Sequence, residues 1–99
     1  MKIVLNKGYG DFSIAKEYHE ILGITCAVDS WHFDRRNPVL IKLVEELVDD
    51  EHDFISGEGA KLCVVEIPDD TTDWDIINYD GDEKLVYVLN GKLHYGYPK

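Results

Sequence analysis

The sequence predicts an α+β domain: two helices packed on one face of a mainly antiparallel sheet, with a C-terminal β-hairpin. Three observations carry that reading. LVYVL-NG-KLHYGY (85–97) places an Asn-Gly pair between two apolar segments, the signature of a two-residue type I′ hairpin. Leu40, Leu43, Val44, Leu47 and Val48 recur at helical spacing. KLCVVEI (61–67) is an almost continuous apolar run, as in a strand covered on both faces.

Taken in order, KIVLN (2–6) reads as a short strand closed by the Asn-Lys-Gly turn. Ser13 is placed to cap a helix over 14–22, where Ile14, Tyr18, Ile21 and Leu22 make one apolar stripe and Gly23 is the stop. Residues 24–37 begin apolar and turn polar and aromatic, fitting a short strand or an irregular connection. Asn37-Pro38 starts the second helix, because Asn caps and Pro tolerates the first helical position, and the pattern runs to about residue 50. The acids at 49–53 with Gly57 and Gly59 mark a loop. After the strand at 61–67, Pro68 and DDTTD lead to a strand at 74–79 (WDIINY), then an Asp80-Gly81 turn. In the hairpin, Val88 faces Leu93 and Val86 faces Tyr95 on one side, with Leu85, Tyr87 and His94 on the other.

Ninety-nine residues, 44% hydrophobic, suit one domain spanning 1–99. No apolar stretch approaches the roughly 20 residues of a membrane span, which makes the cytoplasm the expected compartment. The net charge of −10 opposes binding to nucleic acid or anionic membrane, which lysines and arginines drive. Cys26 and Cys63 have no CxxC spacing and read as reduced, buried thiols.

The loop NKGYGDFS (6–13) has neither GxxxxGK[ST] nor GxGxxG. It is either an anion-attracting strand-to-helix loop or a turn whose glycines take positive φ while Ser13 caps. DSWHFDRRNP (29–38) gathers an aromatic cluster with the chain's two arginines. If the two loops share one end of the sheet, Lys7, Tyr9, Trp31, Arg35 and Arg36 form a ligand-binding pocket for a nucleotide-like anion. The alternative buries Trp31 and Phe33 and leaves the arginines pairing acids. His, Asp and Glu occur without a recognisable metal-ligand spacing, and no nucleophile motif is present, so no metal, cofactor or catalytic residue is expected. EELVDDEHD (45–53) and the acids of 68–83 are a solvated face or, spaced along one surface, a mimic of DNA phosphates. The aromatic edge strand of the hairpin suits a homo-oligomer.

KIVLNKGYGDFSIAKE, RRNPVLIKLVEELV and AKLCVVEIPDD…WDIINYDGDE, three ordered segments within residues 2–83, resemble a family of small phage and prophage proteins. The chain departs from that pattern at Gly8, Asp11 and Asn37. The family carries no catalytic motif. The resemblance implies a non-catalytic binding protein of the host bacterial cytoplasm that inhibits antiviral defence, by sequestering a nucleotide-derived signal or by blocking a defence protein. The other reading is an acidic DNA mimic or general protein-interaction module.

Overall fold

The computed structural model describes residues 1–25, 33–49, 52–79 and 82–97. Among them are β1 (Lys2–Asn6), one helix α1 (Pro38–Leu47), β2 (Leu62–Glu66), β3 (Asp73–Tyr79), β4 (Asp82–Leu89) and β5 (Lys92–Gly96). The strands form two antiparallel sheets, β1-β2 and β3-β4-β5. Two helices on one face of a single sheet is therefore overturned: the fold is mostly β, with one α-helix among the described residues.

The division into two sheets follows from β1 and β2 being apolar on both faces. Ile3, Leu5, Val65 and Ile67 point one way and pack with Leu85 of β4, together with half-buried Trp74, Ile76 and Tyr87. Val4, Leu62 and Val64 point the other way, toward Leu40 and Val44 of α1 and toward Phe12, Ile14, Ile24 and Ile55. A strand pair needing cover on both sides becomes the middle layer, between the helix and the second sheet. Burying an Ile or Leu side chain contributes about 1.5–3 kcal/mol, and Ile3, Leu5 and Leu62 are wholly buried. That burial stabilises a two-stranded ribbon that alone is marginal in water.

The helix expected at 14–22 is replaced by a 3-10 turn at Lys16–Tyr18. Ser13 does not cap it. The backbone here is drawn into pairing with 55–57 instead: Ile14 bridges Ser56, the Ala15 N–H donates to the Ile55 carbonyl (2.8 Å) and Gly57 N–H to Ser13 (3.0 Å). Ala15 is left extended, at φ −57° and ψ 140°. What remains is too short to repay helix nucleation, so i→i+3 bonds close Ala15–Tyr18 and Glu20–Gly23. The apolar stripe accordingly splits, with Ile14 buried and Ile21 exposed.

The second helix starts where Asn37-Pro38 places it. Asn37 Oδ1 accepts from the Val39 and Leu40 amides (2.9 and 3.1 Å). It stops at Leu47, short of residue 50, because Val48 turns extended and bridges Asp53. The hairpin register pairs Val88 with Leu93 and Val86 with Tyr95, and Asn90 and Gly91 both take the positive φ (53° and 76°) that a type I′ turn requires. The Asp80-Gly81 turn lies outside the described residues.

Candidate functional site

The glycine loop between β1 and Ile14 is built on Asn6, whose side chain is fully buried. Its Nδ2 donates to the Gly10 carbonyl (2.6 Å), and its Oδ1 accepts from the Gly8 and Lys61 amides (2.9 Å each). The Gly10 N–H donates to the Gly59 carbonyl at 2.8 Å. These amides are spent inside the protein rather than presented to an anion. Nor do Gly8 and Gly10 supply positive φ, which among the described glycines occurs at Gly23, Gly59 and Gly91. They permit close approach: a Cβ on Gly8 would lie 2.5 Å from the Gly59 oxygen, and one on Gly10 2.9 Å from its carbonyl carbon.

Arg35 and the glycine loop do meet, but in the interior. The guanidinium carbon sits 3.5 Å above the ring centre of Phe12, a cation–π contact. Nη1 and Nη2 bind the Glu83 carboxylate at 2.7 and 3.0 Å, and Nη1 also reaches the Val4 carbonyl at 3.3 Å. Glu83, 3% exposed, further accepts the Asn6 N–H at 2.7 Å. A fork-to-fork pair of this kind uses the guanidinium face best suited to a phosphate. Arg35 is thus a fastener between β1 and β4.

The other expected pocket residues have surroundings of their own. Tyr9 is 100% exposed. Arg36 is exposed, its amide held by Asp34 (2.9 Å), and its charge acts on Asp69. Lys7 is half-buried and lowers the thiol pKa of Cys63 against the upward push of burial. Trp31 lies outside the described residues, as does Cys26. No set of three or more His, Cys, Asp or Glu side chains is placed to hold a metal among the described residues.

A surface of different character lies on the outer face of β3-β4-β5. Strand alternation sets Val86 and Val88 of β4 beside Tyr95 and Leu93 of β5, and Asp75 and Asp73 of β3 beside the valines. Leu93, Tyr95 and Tyr97 are 66%, 53% and 60% exposed, and the two tyrosine rings stack at 6.5 Å. Lys84 Nζ stands 5.6 Å over the Tyr95 ring. The result is an apolar stripe with an acidic border on one side and a lysine on its face. The hairpin pattern exposed the aromatic run in the sequence. The acidic border needed the β3–β4 register, which the primary structure does not specify.

Comparison with protein-family models, with curated proteins and with solved structures returns no match for this chain. No helix among the described residues is long and apolar enough to cross a membrane.

Proposed function

We propose that this protein is a non-catalytic binding protein that acts by occupying another protein through the open face of its three-stranded sheet. The observation that carries the reading is the exposed row Leu93, Tyr95 and Tyr97: tyrosines supply large contact area at low entropic cost, and they are enriched where proteins meet. The sequence resemblance to small phage and prophage proteins supports a host defence protein as the target. Sequestering a nucleotide-derived signal is the weaker arm, since its central cation, Arg35, is already paired with Glu83. The exposed Asp73 and Asp75 keep the acidic interaction module as a variant of the same reading, with carboxylates bordering the apolar contact.

Tagged protein isolated from bacterial cells and examined by native mass spectrometry tests this. Wild type is expected to retain a protein partner that Tyr95→Ser/Tyr97→Ser loses and Arg36→Ala keeps. Retention of the same partner by the tyrosine variant, or of a nucleotide-sized mass in place of a protein, overturns the reading.

A further inference from the structure

The strand edges of this fold are not treated alike. On β1 the outward Val4 N–H donates to the Arg35 carbonyl (2.9 Å) and the Asn6 N–H to Glu83. On β3 the outward amides of Trp74 and Ile76 are taken by the preceding side chains, Asp73 (2.9 Å) and Asp75 (2.8 Å). Side chains that cap edge amides keep other strands away.

On β5 nothing of the kind occurs among the described residues. Across a two-residue turn the flanking pair, Leu89 and Lys92, exchanges both hydrogen bonds. Alternation then turns the N–H and C=O of Leu93 and Tyr95 away from β4, to the open side. Lys92–Gly96 contains no proline, pairs with β4 without a bulge, and has no acidic residue, in a chain with 20 of them. Among the described residues the other uncapped stretch, on β2, carries the exposed carboxylate of Glu66. β5 is therefore the edge along which two copies approach without setting acid against acid.

We propose that β5 pairs with β5 of a second copy, antiparallel about a two-fold axis at His94, joining two three-stranded sheets into one of six. Leu93 of one copy then stands opposite Tyr95 of the other, and each such pair exchanges its bonds, about four backbone hydrogen bonds in all. Gly91 comes opposite Tyr97, bringing each hairpin turn to the cleft of about 360 Å³ between Val64–Ile67 and Tyr95–Tyr97. Edge pairing leaves the outer face uncovered and runs the two apolar stripes into one. The binding face proposed above is thus contributed by both copies and is half its size in a monomer.

Light scattering after size exclusion reads the mass directly. The expected value is about 23 kDa, twice the 11.4 kDa of the chain, with added salt leaving it unchanged or favouring it by screening the acids elsewhere. A purely monomeric wild type across a dilution series overturns the proposal. Tyr95→Pro removes an outward amide without removing a bond to β4, a position where an edge strand accepts proline. It is expected to be monomeric with wild-type circular dichroism, and a folded Tyr95→Pro dimer overturns the proposal.

Hydrogen exchange on the unmodified protein supplies a test free of substitution. At a concentration where the dimer is populated, the Leu93 and Tyr95 amides are expected to be protected as strongly as those bonded to β4, and exchange as fast as an open edge there overturns the pairing. Monomers that still retain a protein partner would overturn the pairing alone. Dimers that retain none would overturn the binding function alone.

Discussion

Arg35 and Glu83, 48 residues apart, share two hydrogen bonds of 2.7 and 3.0 Å, and the same carboxylate takes the backbone N–H of Asn6. One ion pair thereby closes the outer edge of β1, joins it to β4, and holds the start of the glycine loop. Removing one partner strands the other in the interior. Glu83→Ala is expected to cost about 3–5 kcal/mol in denaturant unfolding, because it leaves both the guanidinium and the Asn6 amide unmatched. Arg35→Ala should cost a similar amount. The double variant should fall short of the sum by more than about 1 kcal/mol, the sign of direct coupling. Strictly additive losses would mean that the pair is incidental.

The loops make a second, separable prediction about glycine. Gly8 has an ordinary backbone conformation but no space, whereas Gly91 has positive φ (76°) and open space around it. Gly91→Ala should therefore cost about 1–2 kcal/mol, the price of a left-handed alanine. Gly8→Ala pushes a methyl into the backbone at 59–61 and should cost more, with slower folding of the loop pair as a further sign. Equal melting temperatures for the two variants would show that the 59–61 segment yields to the methyl.

How far the fold could be read in the sequence depended on where each determinant lies. The strands at 2–6 and 74–79, the Asn37-Pro38 helix start and the Asn90-Gly91 turn were legible, because each is written in adjacent residues. The stretch 14–22 was not: its helical stripe competes with strand-like pairing to Ile55–Gly57, forty residues away in the chain, and the pairing wins. The partition into two sheets was half-legible. KIVLN and KLCVVEI are apolar on both parities, so each demanded cover on two sides, which a helical layer on one face cannot supply.

The pairing of Arg35 was hidden for a comparable reason. Arg35 was singled out for its charge, and the residue that claims it is distant in sequence. A signal existed nonetheless: Glu83 shares strand parity with Leu85 and Tyr87, which places a carboxylate on an inward face and requires a cation there. Tyr9 and Arg36 carried no such mark, and both are exposed.

Cys63 offers a chemical probe of the ribbon. Burial pushes its thiol above the ordinary 9.0, Lys7 opposes this, and the thiol donates to the Leu5 carbonyl at 3.5 Å. Its reaction with a disulfide reagent near neutral pH should be much slower than that of the unfolded chain, since the thiolate is the nucleophile. The raised pKa also fixes a sign. The stabilisation is fully present below 9.0 and is lost as pH rises through the folded value, because the unfolded chain gives up its proton first. Cys63→Ser should flatten that alkaline decline, and an unchanged alkaline profile would locate its cause elsewhere.

At acid pH the corresponding group is Asp69, whose carboxylate binds the Met1 ammonium, which itself donates to the Ile67 carbonyl at 2.8 Å. The ammonium holds the carboxyl below its ordinary 3.8, with Arg36 a smaller contributor. A depressed folded pKa means that the contribution to stability is present above 3.8 and fades as pH falls through the lower folded value. Melting temperature against pH should therefore fall less steeply in this acid range for Asp69→Asn than for wild type. Acetylating the N-terminus should reproduce that flattening, whereas Arg36→Ala should do so only weakly, because its charge acts from further away and through solvent. The ordering separates two roles for Arg36. If Arg36→Ala flattened the acid limb as much as acetylation does, Arg36 would be a partner of Asp69 equal to the ammonium, and this exposed cation would be structural as well.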